Sequence, residues 1–244
     1  MLALVHGFTQ TGRSWARVAA LLGEPDVRTP DLPGHGDRSD RPMGLWAGAR
    51  AIGLECGAGD YVGYSAGGRH LLHLALARPD LVRRMVLLGA TAGIDDPHER
   101  AARVAADEAL AQRIEAVGVA AFVDDWLAQP LFVGLPDEGR EDRLRNTAAG
   151  LAASLRLAGT GAQVPLWDRL PEITCPVLVL AGERDEKFTA LGRRLAAGLP
   201  HAELDVVAGA GHAAHLEAPD AFADRVRRWL HQTETASPIV SSTP

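Results

Sequence analysis

Lysine is all but missing from this chain: of its 25 lysines and arginines, only Lys187 is a lysine. No basic run is long enough to follow a phosphate backbone, and the formal net charge is −6, so no nucleic-acid partner is expected. Cysteine is nearly as scarce. Cys56 and Cys175 stand far apart without metal-ligand spacing and read as free thiols of a reducing compartment. No apolar run approaches the roughly 20 residues of a membrane span. Met1 leads straight into a short apolar run without a basic leader, so no signal peptide is expected and the cytoplasm is the expected location. No glycine-rich dinucleotide fingerprint follows a strand and no His/Cys cluster has metal spacing, so activity without metal or nucleotide cofactor is expected.

What remains is ordinary globular material, 244 residues with 47% apolar and 23% charged, enough for a good core. Strand-like runs at 1–5, 27–30, 60–64, 84–88, 177–181 and 202–207 alternate with helical periodicity at 13–22, 46–56, 69–77, 190–199 and 219–230. Such alternation predicts an α/β fold with a mostly parallel sheet of about six strands covered on both faces. Between 98 and 157 no strand is visible. Three helical stretches, 98–115, 118–128 and 137–157, are separated in part by Pro130 and Pro136. The expected layout is therefore a first core part over 1–92, a helical cap over 93–165 and a second core part over 166–231. The Pro/Ser-rich segment 232–244 reads as a disordered tail.

The chemistry gathers at the predicted carboxyl ends of strands, where ligands of open parallel sheets bind. Gly63-Tyr64-Ser65-Ala66-Gly67 reads G-x-S-x-G between a strand and a helix, the setting of a nucleophile elbow. Ser65 is the candidate nucleophile. Asp185, after the strand at 177–181, and His212, after the strand at 202–207, follow it in the chain order of an α/β-hydrolase triad. Glu183 is a rival acid and His215 a rival base. The backbone N–H groups of Phe8 and Ala66 are the candidate oxyanion hole. His6 reads as structural, and His35 as a stabiliser of its loop.

With HGF, DLPGHG, GYSAGGR, GERDEKF and GAGHAAHLE, the chain resembles the α/β-hydrolase superfamily over nearly all of 4–231. More narrowly it resembles the 2-succinyl-6-hydroxy-2,4-cyclohexadiene-1-carboxylate synthases of menaquinone biosynthesis. The arginine closing GYSAGGR, the lysine in ERDEKF and the cap segments ERAARVAADEAL, FVDDWLAQPLF and RLRNTAAGLAASL carry the narrower likeness. The resemblance implies elimination of pyruvate from a cyclohexene bearing an enolpyruvyl ether, a succinyl group and a ring carboxylate. The triad would act as a base, and no water would be consumed. It further implies cations for three carboxylates, at Arg69, Arg103 and Arg145 with Lys187 at the pocket mouth, and an apolar wall at Tyr64 and Trp126. The partner is then a small-molecule carboxylate, with homo-oligomerisation left open. The two leading strands usual in the larger fold are missing from the pattern, and the segment between Gly36 and Gly63 is short. The alternatives are an ester or carbon–carbon bond hydrolase using the same triad and, more remotely, a ligand-binding relative without catalysis.

Overall fold

The computed structural model describes residues 1–132, 135 and 139–235. Six parallel strands form one sheet in the order β2-β1-β3-β4-β5-β6. They are β1 (Leu2–Val5), β2 (Val27–Arg28), β3 (Gly59–Tyr64), β4 (Val82–Leu88), β5 (Val177–Gly182) and β6 (Ala202–Val207). Every pairing is parallel, and the register sets Val5 beside Gly63, Gly63 beside Leu87 and Gly182 beside Val207. The carboxyl ends of the central strands therefore lie side by side.

Strand alternation sorts the core into two layers. Leu2, Leu4, Val62, Tyr64, Val86, Leu88, Leu178 and Leu180 face one side. There they meet α1 (Ala16–Leu22) and α9 (Pro219–Thr235) through Val18, Leu22, Phe222, Val226 and Trp229. Ala3, Val5, Tyr61, Met85, Leu87, Val177 and Val179 face the other side. They meet α2 (Leu45–Cys56), α3 (Ala66–Ala77) and α7 (Glu186–Gly198) through Ile52, Leu71, Leu74 and Leu195. Each helix fills its place with apolar residues three and four apart, the spacing that puts one stripe toward a sheet.

Between β4 and β5 the described residues form helices and no strand. The first two helical stretches of the sequence are two helices that meet at a kink within α4 (Pro97–Leu127), which is started by the Asp96 side chain accepting from the His98 and Glu99 N–H groups. Gly118, at φ 77 and ψ 171, breaks its path, which is why the periodicity reads as two helices. The stretch taken as one helix over 137–157 is two, α5 (Gly139–Arg143) and α6 (Ala148–Ala158), with residues 137 and 138 and the expected breaker Pro136 outside the described residues. Thr147 makes the division, since its hydroxyl caps α6 by accepting from the Gly150 N–H. α4 and α6 close on a small core of Ala111, Ile114, Phe122, Leu151 and Leu155. The last helix α9 continues through Thr235, so the segment expected to be a tail from 232 begins as helix, and the rest of it lies outside the described residues.

At the far end of the sheet from the site, Asp60 accepts from both Arg83 and Arg84, with Arg84 and Asp60 buried against each other at 2.6 Å. Burial resists the Asp60 charge, but the two guanidiniums outweigh it and hold the carboxyl below its ordinary range. Asp60→Ala leaves a buried guanidinium without this carboxylate and should cost about 3 kcal/mol of unfolding free energy. Urea denaturation of the variant checks this, and a midpoint equal to wild type would refute it.

Candidate active site

Ser65 joins β3 to α3 in the conformation φ 50, ψ −106, one of two positive-φ non-glycine residues among those described. The turn is possible only between glycines. A Cβ on Gly63 would stand 2.7 Å from the Gly68 nitrogen, and one on Gly67 would stand 2.2 Å from the Val5 carbonyl oxygen. The Ser65 N–H donates to the Leu88 carbonyl of β4 (2.8 Å), which ties the elbow to the neighbouring strand.

His212 follows β6, in a loop held by Glu217 at the end of the short helix α8 (Ala214–Glu217). The Glu217 carboxylate accepts from the N–H groups of Gly211 (2.7 Å) and Ala213 (3.0 Å) on either side of His212, and from Arg184 (2.7 Å). His212 Nδ1 lies 2.6 Å from Asp185 Oδ2, and Nε2 lies 3.4 Å from Ser65 Oγ. The other oxygen of Asp185 caps α7 by accepting from the Phe188 N–H (3.1 Å). One carboxylate thus starts a helix and fixes an imidazole. The rivals are placed elsewhere. Glu183 accepts from the Gly209 N–H, and His215 is buried against Trp15 and Tyr64 with Nε2 at 3.3 Å from Gln10 Nε2. His6 is satisfied structurally, with Nδ1 donating to the Gly7 carbonyl and Nε2 accepting from the Leu32 N–H. His35 Nδ1 lies 3.2 Å from the Pro33 carbonyl in its own loop.

A cavity of about 290 Å³ opens over Ser65 and His212. Phe8 and Ala66 line it, and neither backbone N–H meets an acceptor among the described residues. A wall of rings covers one side. Trp126 meets Phe8 edge-on at 5.4 Å, stacks with Phe122 at 5.7 Å and tilts against Phe132 at 5.5 Å, while Phe188 lies 4.3 Å from the His212 ring. Tyr64 also lines the cavity, packed between His212 and His215. A second cavity of about 450 Å³ shares Ser65, Arg69, Arg103, Thr160, Lys187 and Phe188 with the first.

The cations need one correction. Arg69, Arg103 and Lys187 line the cavity, but Arg145 is exposed and does not. The guanidinium contributed by this part of the cap is that of Arg143, 2% exposed, donating to the Thr9 hydroxyl. Because Thr147 starts a new helix, the phase of the preceding turn is independent of α6, and two positions exchange inside for outside. The cap signal at Thr147 was the available clue. Phe132 and Phe188 were also missed, although Phe188 lies at the third position after the capping Asp185. Arg103 is held by Asp107 (2.7 Å), whereas Arg69 donates to the Ala158 carbonyl (2.7 Å). Burial, and then the neighbouring Arg103, bring Arg69 down to about 10, which leaves it cationic at neutral pH; burial also lowers Arg143. Among the described residues lining the first cavity there are four cations and no carboxylate, while the second, which shares three of those cations, is lined also by Asp95, Asp96 and Glu99. The described residues contain no group of three His, Cys, Asp or Glu arranged to hold a metal ion.

This strand order, elbow and His–Asp pairing define a class. The chain matches the model of the alpha/beta hydrolase family over residues 2–225 and belongs to that family. Within it, a 2-succinyl-6-hydroxy-2,4-cyclohexadiene-1-carboxylate synthase of Serratia proteamaculans is 33% identical over 94% of this chain and 92% of its own. A Bacillus subtilis protein that carries the same name provisionally is 35% identical over 93% of this chain and 88% of its own. Among solved structures, MenH from S. aureus superposes with a TM-score of 0.90 at 29% identity, covering 96% of this chain and 94% of that one. No described helix is long and apolar enough to cross a membrane.

Five further histidines are buried and held neutral, of which His70 lines the cavity. Burial is the main cause in each case, pushing His6, His35 and His70 from 6.5 to about 3, His73 to about 4, and His215 well below its ordinary value. Between those values and 6.5 the unfolded chain binds protons that the folded chain refuses. Stability is therefore held above pH 6.5 and lost as pH falls below it, by up to about 1.4 kcal/mol per pH unit for each such imidazole. The urea midpoint should drop steeply from pH 7 to pH 5, and equal midpoints would contradict the assignment.

Proposed function

We propose that this enzyme is a lyase that eliminates pyruvate from 2-succinyl-5-enolpyruvyl-6-hydroxy-3-cyclohexene-1-carboxylate, the reaction of the synthases it resembles. The observation that carries the reading is the cavity over Ser65 that holds Arg69, Arg103, Arg143 and Lys187 without a described carboxylate. Such a site favours a polyanion, because buried guanidiniums gain most from ligands that supply the missing charges. Its similarity to named synthases over most of both chains supports the same conclusion.

The geometry supports the following chemistry. Ser65 Oγ, its proton passed to His212 Nε2, abstracts the hydrogen α to the succinyl carbonyl. The C–H electron pair forms an enolate, whose oxygen is met by the N–H groups of Phe8 and Ala66. When the enolate collapses, a ring double bond shifts, the C–O bond of the enolpyruvyl ether breaks, and the leaving enolpyruvate takes up a proton to become pyruvate. Asp185 fixes the His212 tautomer and stabilises the imidazolium. Tyr64 and Trp126 shape the apolar wall. The reaction takes place in the cytoplasm.

The direct test is pyruvate release from the purified enolpyruvyl substrate, measured against spontaneous elimination. No acceleration, together with fast Ser65-dependent turnover of p-nitrophenyl acetate, would replace the reading with an ester hydrolase. Ser65→Ala and His212→Ala should each lower kcat by at least about 10³-fold, with a smaller loss for Asp185→Asn. The two neighbouring arginines give a sharper contrast. Arg143→Ala should lower kcat/KM for the tricarboxylate about 10- to 100-fold, the worth of one charge-assisted hydrogen bond. Arg145→Ala should leave it within about threefold. Equal losses in the two variants would show that neither arginine meets the substrate.

A further inference from the structure

Asn146 is absent from the cavity wall, yet its side chain joins three parts of the frame around it. Its amide nitrogen donates to the Thr9 carbonyl (2.6 Å) and the Arg143 carbonyl (2.9 Å), and its Oδ1 accepts from the Gly36 N–H (2.9 Å). One buried amide thus ties the loop after β1, the loop after β2 and the junction of α5 with α6. Both of its N–H donors and its Oδ1 are engaged by backbone, which is how a group fixes geometry rather than binds ligand.

The Thr9 end of this network has chemical consequences. Thr9 is fully buried and has φ 69; Ser65 is the other non-glycine residue with positive φ among those described. A β-branched residue rarely adopts this conformation and keeps it only where its surroundings over-determine it. Here the Thr9 carbonyl is held by Asn146 and its hydroxyl by Arg143, and two residues on the Thr11 N–H donates to Asp142 (2.9 Å). The Thr9–Gln10 peptide that Asn146 holds also donates its Gln10 N–H to the Gly7 carbonyl (3.2 Å), and so bears on the Gly7–Phe8 peptide that carries the Phe8 N–H. The Phe8 N–H meets no acceptor in the described structure, and its residue lines the cavity over Ser65.

We infer that Asn146 is a positioning residue for the oxyanion hole: it holds Thr9 in the left-handed conformation and so aims the Phe8 N–H at the oxygen on which charge develops. Asn146 is not needed merely to seat the cap. α6 already lies directly on the loop after β2, where a Cβ on Gly150 would stand 2.6 Å from the Gly34 carbonyl oxygen and one on Gly34 would stand 2.7 Å from that of Gly150. α4 and α6 share their own core. The inference rests on the proposed function only in taking the charged oxygen to be an enolate; an acyl or phosphonyl oxyanion would use the same donor.

The test reads the hole with a reagent independent of the natural substrate. A neutral alkyl fluorophosphonate reacts at Ser65: the Oγ proton passes to His212 Nε2, the Oγ–P bond forms, the P–F bond breaks and fluoride leaves, while the phosphoryl oxygen draws on the same N–H groups. Asn146→Ala, and Asn146→Asp in case the first fails to fold, should be phosphonylated about 10-fold or more slowly. The kcat for pyruvate release should fall in parallel, with KM held within about threefold. Thr9→Gly introduced into Asn146→Ala should recover much of the lost rate, because glycine adopts this φ without help. Rates within about twofold of wild type, a loss that Thr9→Gly leaves untouched, or a wild-type Ser65 that does not react would each overturn the inference. Wild type that is phosphonylated but releases no pyruvate would sink the substrate reading alone, and the Asn146 inference would still be decided by the labelling rates.

Discussion

The close approach of α3 to β1 is the constraint on which the site depends. With 2.2 Å between the Val5 carbonyl oxygen and the position of a Cβ on Gly67, there is room for nothing larger than hydrogen. That contact forces the sharp turn that leaves Ser65 at positive φ. It also brings the start of α3 against the loop leaving β1, so two backbone N–H groups from distant parts of the chain come to one cavity. The parallel register supplies the rest. Asp185 and His212 leave adjacent strands at the same edge and meet at 2.6 Å without a long loop to guide them.

A second constraint is electrostatic. Arg69 and Arg143 are buried beside Ser65, and neither forms an ion pair with a carboxylate among the described residues. A carbonyl oxygen satisfies part of Arg69 and a hydroxyl oxygen part of Arg143, whose Nε has no partner among the described residues. Burying such groups costs stability, and a fold with no use for them would gain from apolar replacements. The cost makes sense where a ligand brings the carboxylates. Arg103, already held by Asp107, differs in kind: it is oriented before any ligand arrives and has less charge left to offer.

The core and the triad positions were legible because each is encoded within a few residues. G-x-S-x-G names its own turn, and Asp185 and His212 each follow an apolar strand directly. The cap was less legible. Helical periodicity breaks at Gly118, where the backbone leaves helical φ and ψ, but it runs across Thr147 as though that were an ordinary interior position, so two short helices read as one. That reading exchanged Arg145 for Arg143, because a new N-cap resets the phase of whatever precedes it. A site built by motifs survives errors in helix phase, whereas a site built by faces does not.

The aromatic wall bears on why such a site should be a lyase on a fold that hosts many hydrolases. Phe8, Phe122, Trp126 and Phe132 pack edge and face over the cavity, and Phe188 shields the His212 ring. A hydrolase must admit water to its covalent intermediate and hold it where His212 can activate it. An elimination consumes no water. An apolar, ring-lined wall therefore takes nothing from its rate, while a lower local dielectric strengthens each N–H and guanidinium that meets a developing negative charge. The same rings hold Phe8 from the cap side while Thr9 is held from behind by Asn146 and Arg143, so the ring wall and the backbone network meet on one short loop.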